Sequence, residues 1–135
     1  MKFNNDNDYW SASWQPVGKP LDSYKSECRH GTAYTVISSE YKKIAASVSY
    51  YVPLNKTHEV WNCKITNNDS IPRNLSVFGF VEFTNEDNYE QDQVNLQYSQ
   101  FISRTSFEGN KIMQRISEFS KKDHRERFFG MVGAD

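Results

Sequence analysis

Apolar and polar positions along this chain fall into short runs of strand length separated by turn residues, without a helical period. Glu59 to Thr66 (EVWNCKIT) sets Trp61, Cys63 and Ile65 on one face and Asn62, Lys64 and Thr66 on the other, as a half-buried strand does. Thr32 to Ser38 (TAYTVIS) and Ile44 to Val52 (IAASVSYYV) are β-branched and aromatic runs, and the polar link Ser39-Glu-Tyr-Lys-Lys43 between them predicts a hairpin. Leu75 to Phe83 (LSVFGFVEF) is apolar almost throughout, which predicts a central strand covered on both faces, with Gly79 at a bulge or a close neighbour. Leu96 to Phe107 and Lys111 to Phe119 predict a second hairpin about Glu108-Gly-Asn110, and Arg127 to Val132 begins another strand.

Two stretches lack this character. Residues 1–31 are broken by Pro16, Gly18 and Pro20 and are expected to be loop-like, although they hold Tyr9, Trp10 and Trp14 close together. Thr84 to Gln93 is polar and acidic and longer than a hairpin needs, so it is expected to be a long loop of the kind that carries binding residues. Six or seven strands with regular turn signals and almost no helix predict an all-β fold, an antiparallel β-sandwich of two sheets stacked face to face.

Composition sharpens this picture. A chain of 135 residues is one domain by length, and nine Phe, eight Tyr and three Trp supply bulky groups for a core and disfavour disorder. The net charge of -1 provides no uniform positive field, so nucleic acid is not an expected partner. Lys121, Lys122, Arg125 and Arg127 form a local basic run, but Glu118, Asp123 and Glu126 interrupt it and it reads as solvated surface. No apolar run reaches the roughly 20 residues of a membrane span, and Met1 to Asp8 has no signal-peptide character, so a cytoplasmic protein with no membrane partner is expected. On that expectation the three glycosylation-type triplets beginning at Asn55, Asn68 and Asn74 are chance matches.

Candidate chemistry is sparse. Cys28 and Cys63 are too few for a disulfide framework and lack zinc spacing; they read as reduced thiols, with Cys63 in the core. Cys28 and His30 would share a strand face, but neither a third partner nor an oxyanion-hole signature accompanies them, and His58 and His124 lie in solvated contexts. Glycoside chemistry needs a carboxylic acid at the leaving oxygen; Glu82, Glu86, Asp87, Glu90 and Asp92 are candidates, yet no apolar pocket surrounds the loop that holds most of them. No metal site and no Gly-rich phosphate loop are expected. Trp10 and Trp14 are open to two readings: a platform on which pyranose rings stack, or a plug at the sandwich edge.

Several motifs in one order carry a resemblance: DYWSASWQPVGKPLD, ECRHGTAYT, YYVPLN, EVWNCKITNN, RNLSVFGFVEF and QDQVNLQ. Together they resemble the N-terminal domain of the cellobiose phosphorylase family, the inverting disaccharide phosphorylases of glycoside hydrolase family ninety-four. The resemblance implies a super-sandwich of galactose-mutarotase-like type, here incomplete, in an enzyme that splits a disaccharide with inorganic phosphate as co-substrate and needs no other cofactor. It also implies that the general acid and phosphate site lie in an α/α barrel outside this sequence, so no catalytic residue is carried over and the chain alone is expected to be inactive. A homodimer is implied too, in which a sandwich loop matching 92–98 reaches the partner's sugar site and Gln93, Asn95 and Gln97 offer amides to sugar hydroxyls. Expected partners are therefore a disaccharide or oligosaccharide, the remainder of the parent enzyme and a second copy. The alternatives are a stand-alone carbohydrate-binding module using Trp10 and Trp14, and an inactive remnant of a split gene.

Overall fold

The computed structural model describes residues 2–5, 8–83, 94, 97, 101–116 and 126–133. All its sheets are antiparallel, and the chain divides into two units, Met1–Phe80 and Val81–Asp135.

The first unit is a small sandwich. One sheet, in the order β2-β1-β7, is built from β1 (Lys2–Asn5), β2 (Asp8–Ser11) and β7 (Ser76–Phe78). The other runs β3-β4-β5-β6 in chain order, a meander of β3 (Lys25–His30), β4 (Tyr34–Tyr41), β5 (Ile44–Tyr51) and β6 (Val60–Asn67). Register assigns every side chain to a face. Ile44, Ala46 and Val48 of β5 point inward, and their partners Ile65 and Cys63 on β6 and Ile37 and Tyr41 on β4 share that face. Trp10, Ala12 and Tyr24 meet them from the other side to form the buried core, with Val77 of β7 and Leu75 packed against it. The outward face of the same sheet carries Ser38, Ala45, Ser47, Ser49, Lys64 and Thr66, so the period of two seen in β6 holds across the sheet.

The β4–β5 hairpin closes through Lys42 and Lys43 alone, both with positive φ (48° and 65°). Such a turn matches strand twist but is ordinarily filled by Asn or Gly, because a Cβ is disfavoured there. Local bonds hold the lysines in it: Lys42 pairs with Asp8, Lys43 pairs with Asp69, and the carbonyl of Lys43 accepts from Asn68 N at 2.9 Å.

The second unit contains a three-stranded meander, β10-β9-β8, of β8 (Ser103–Glu108), β9 (Lys111–Ile116) and β10 (Glu126–Gly130). Gly109 and Asn110 form the β8–β9 turn, with Gly109 at φ 63° where only glycine is free of strain. Arg115 ties the strands together through Glu126 at 2.7 Å and Glu108 at 3.2 Å.

Three sequence expectations are corrected. Residues 1–31 contain β1, β2 and β3 and are not simply loop: β1 and β2 are too short to display a period, and β3 is an edge strand with all six residues exposed, so it has no apolar face. Leu75 to Phe83 is not a central strand. Only Ser76–Phe78 pairs, as an edge, because its ladder with β1 ends at Lys2↔Phe78, and Phe78 and Phe80 are left about half exposed. The strand expected from Leu96 begins at Ser103, preceded by helical backbone at Val94, Gln97, Phe101 and Ile102, of which Ile102 is buried. The long loop 84–93 and the basic run 121–125 lie outside the described residues. No helix among the described residues is long and apolar enough to cross a membrane.

Trp10 is the largest fully buried side chain, at 1% exposure. Trp10→Ala is expected to lower stability by about 3–5 kcal/mol, whereas Leu54→Ala, at a side chain 88% exposed, should cost less than about 0.5 kcal/mol; urea unfolding of the two variants checks the contrast.

Candidate functional site

The two tryptophans of DYWSASW have opposite fates. Trp10 stands on β2 with its indole turned into the core, edge-on to Tyr24 (centroids 6.2 Å apart) and tilted against Tyr41 (6.1 Å). At 1% exposure it has no face to offer a sugar ring, so of its two readings the packing one holds. Trp14 lies beyond the strand end, 37% exposed, with positive φ (66°). Its indole N–H donates to the Lys19 carbonyl at 2.8 Å, and its ring lies beside Gly18, where an added Cβ would sit 3.8 Å from the ring. Trp14 is thus an oriented aromatic with part of one surface open.

Tyr24 organises the loop that presents Trp14. It is 6% exposed; its hydroxyl lies 2.7 Å from the carbonyls of both Ser11 and Ala12, sharing one proton between them, and accepts from the Trp14 amide at 2.9 Å. Removal of that oxygen takes one hydrogen bond from the Trp14 amide and from each of the two carbonyls, leaving the amide its 3.1 Å bond to the Ser11 carbonyl. Tyr24→Phe should therefore cost about 1–3 kcal/mol in denaturant unfolding, with a shift in Trp14 emission; an unchanged midpoint and spectrum would contradict this role.

Asp8 ties the same loop to the far hairpin. Its carboxylate receives Lys19 Nζ at 2.5 Å, Lys42 Nζ at 2.6 Å, the Tyr41 hydroxyl at 2.9 Å and its neighbour's amide at 2.9 Å. Lys19 also lies over the rings of Tyr9 and Tyr41, at 5.5 and 5.3 Å. The hydrogen bond from Lys19, then that from Lys42, holds the Asp8 carboxyl far below the ordinary carboxylate range, and Asp8 in turn raises both lysines. A depressed carboxylate stabilises the fold above its unfolded pKa near 4 and loses that contribution as the pH falls below it. The stability gap between the native protein and Asp8→Asn should consequently be constant from pH 5 to 8 and shrink on acidification below about pH 4; a gap that widens in acid would refute the linkage.

The third partner that sequence reasoning found missing beside Cys28 and His30 is Thr35. Cys28 Sγ is 3.5 Å from His30 Nε2, and His30 Nδ1 is 3.0 Å from Thr35 Oγ1 across the β3–β4 ladder. All of this sits on an exposed edge with no oxyanion donors described, so it does not make a nucleophile. Cys63 is half-buried, and burial pushes its thiol up. Among the described residues no three His, Cys, Asp or Glu side chains stand together as a metal site would need. Of the loop amides, Gln97 is exposed on helical backbone, while Gln93 and Asn95 lie outside the described residues, as do Glu86, Asp87, Glu90 and Asp92.

Two concavities open on the four-stranded sheet. A shallow trough of about 540 Å³ crosses its outward face between Lys25, Glu27, Glu40 and Lys64, floored by Ser38 and Ser47. A second cleft of about 480 Å³ lies at the sheet end, between the β3–β4 turn and the segment that follows β5, where Tyr34, Tyr51 and Glu59 gather.

The family profile described as "Glycosyl hydrolase 94, supersandwich domain" matches residues 2–135. The chain belongs to this family. Relatives of this supersandwich chain include N,N'-diacetylchitobiose phosphorylase of Vibrio furnissii, 36% identical over 107 residues, which are 79% of this chain and 13% of that protein. The corresponding protein of Vibrio proteolyticus is 35% identical over the same shares. Solabiose phosphorylase of Paenibacillus borealis is 35% identical over 79 residues, 58% of this chain and 10% of that protein. The supersandwich chain thus spans about an eighth of the length of the Vibrio phosphorylases it matches. The antiparallel β-sandwich and the family expected from the motifs are both borne out.

Proposed function

We propose that this chain is the N-terminal supersandwich portion of an inverting disaccharide phosphorylase, an enzyme that transfers a glycosyl group to inorganic phosphate. The observation that carries this reading is the family match across residues 2–135 together with relatives that are phosphorylases of chitobiose and solabiose. The chemistry of the described carboxylates supports the division of labour. A general acid must hold its proton near neutral pH, which burial in apolar surroundings achieves. Asp8, the carboxylate here with the strongest perturbation, is driven the other way by two lysines and stays an anion. On this reading the proton donor and the phosphate site are supplied by polypeptide outside this sequence. In the assembled dimer the segment 92–98, with Gln93, Asn95 and Gln97, borders the sugar site of the partner subunit, and the protein works in the cytoplasm.

With chitobiose or cellobiose and phosphate, the purified chain should release no sugar 1-phosphate above a protein-free blank. Placed in a chitobiose phosphorylase in exchange for the segment it matches, it should support phosphorolysis. Turnover by the chain alone would overturn the assignment of catalysis elsewhere, and a well-folded but inactive chimera would count against the family role.

A stand-alone sugar-binding module is a weaker second reading. It loses one of its two tryptophans to the core and keeps only Trp14.

A further inference from the structure

The cleft at the sheet end has the construction of a binding surface. Tyr34 and Tyr51 are cross-strand partners on β4 and β5, adjacent on the outward face, and remain 54% and 38% exposed. Exposed tyrosines are ordinary; fixed ones are not. Tyr34 is fixed by Gly31, whose amide donates to the Tyr34 carbonyl at 2.8 Å and whose missing side chain leaves room for the ring. A Cβ at Gly31 would overlap three atoms of that ring, the farthest, Cδ1, at 2.9 Å. The glycine does not have positive φ, so space for the tyrosine is what this position requires.

Across the cleft, Glu59 is oriented as well: its carboxylate accepts from the indole N–H of Trp61. Trp61 is in turn locked edge-on to Tyr50, another cleft residue, at 5.5 Å. The Thr35 hydroxyl is held by His30 at the same end of the sheet. The result is a held aromatic face, a neighbouring ring and an anchored carboxylate around an open volume of about 480 Å³.

We propose that this cleft is a saccharide-binding subsite, which takes one or two pyranose units of an uncharged oligosaccharide. Pyranose rings present C–H faces that stack on aromatic rings and hydroxyls that donate to carboxylates, and the cleft offers one group of each kind. Glu59 disfavours an anionic ligand, and no basic side chain lines the cleft to hold a phosphate. The Tyr34 ring is set before the ligand arrives, which reduces the ordering cost of binding. The choice of saccharide rests on the function proposed above; the two ideas fail separately, because chimera turnover tests one and equilibrium binding to this chain tests the other.

The test is titration of the purified chain with N,N'-diacetylchitobiose and with cellotetraose, by calorimetry and ligand-observed NMR. Saturable binding is expected with Kd on the order of 1 mM. Tyr34→Ala should weaken it at least tenfold, Glu59→Gln several-fold, and Tyr34→Phe less than twofold, since the ring and not the hydroxyl stacks. Gly31→Ala, which displaces the ring, should also weaken binding, with circular dichroism unchanged; it keeps the test decisive should Tyr34→Ala unfold. Trp14→Ala should leave the affinity unaltered. Absence of saturable binding to either sugar, or affinity that survives both Tyr34→Ala and Gly31→Ala, would overturn the subsite.

Discussion

The indole of Trp10 must be sealed from water on both sides by a unit of about eighty residues, and the arrangement of the N-terminal third follows from that requirement. Strand β2 brings the ring to the sandwich interior, but one strand cannot cover it. Tyr24 closes one side and Tyr41 another, and each arrives from a different part of the chain. Each cover is then fastened by a polar tip: Tyr24 through its hydroxyl to the backbone at Ser11, Ala12 and Trp14, and Tyr41 through its hydroxyl to Asp8. Amphipathic aromatics suit this use, because the ring packs while the hydroxyl keeps buried backbone satisfied. Two buried serine hydroxyls of this unit, Ser11 Oγ and Ser39 Oγ, have no hydrogen-bond partner among the described residues, which is a cost to the fold.

Asp8 shows how a single carboxylate can serve two loops. Lys19 sits in the Trp14 loop and Lys42 in the β4–β5 turn, so the charge two residues before Trp10 draws both towards the ring it must cover. Exposed ion pairs usually contribute little, but this one is shared, only about a fifth exposed at Asp8, and backed by the Tyr41 hydroxyl. It also accounts for the presence of lysine in a tight turn that suits Asn-Gly: the side chains at 42 and 43 each find an aspartate, and the left-handed conformation persists because the neighbours hold it.

Legibility in the sequence tracked burial on one face. Strand β6 was visible because one of its faces is buried and the other wet, the β4–β5 hairpin because two β-branched and aromatic runs flank a polar link, and the turn at Gly109 because glycine marks it. Where that asymmetry is missing, pattern fails in both directions. Strand β3 is wet on every residue and read as loop; the stretch from Leu75 is apolar on both faces and read as a central strand, yet pairing stops with the end of β1. Phe78 and Phe80 remain about half exposed for the same reason: side-chain hydrophobicity does not lengthen a ladder whose partner strand has ended. Asp8 and Lys42 are thirty-four positions apart, and no spacing rule joins them before the sheet is folded.

The aromatic residues divide by what holds them, and that division bears on function more than their number does. Trp10 is held by burial and cannot meet a ligand. Phe107 is largely exposed. Trp14 and Tyr34 are both exposed and fixed, the first by a hydrogen bond from its indole and the second by the space above a glycine. Of the two, only Tyr34 has an anchored carboxylate and a second ring within the same cleft, which separates a surface able to orient a sugar from one that merely offers it contact. Asp8, the most strongly perturbed acid among the described residues, is locked as an anion by its lysines, so these fixed aromatics and the carboxylate of Glu59 stand apart from it as groups that can hold a ligand without moving a proton.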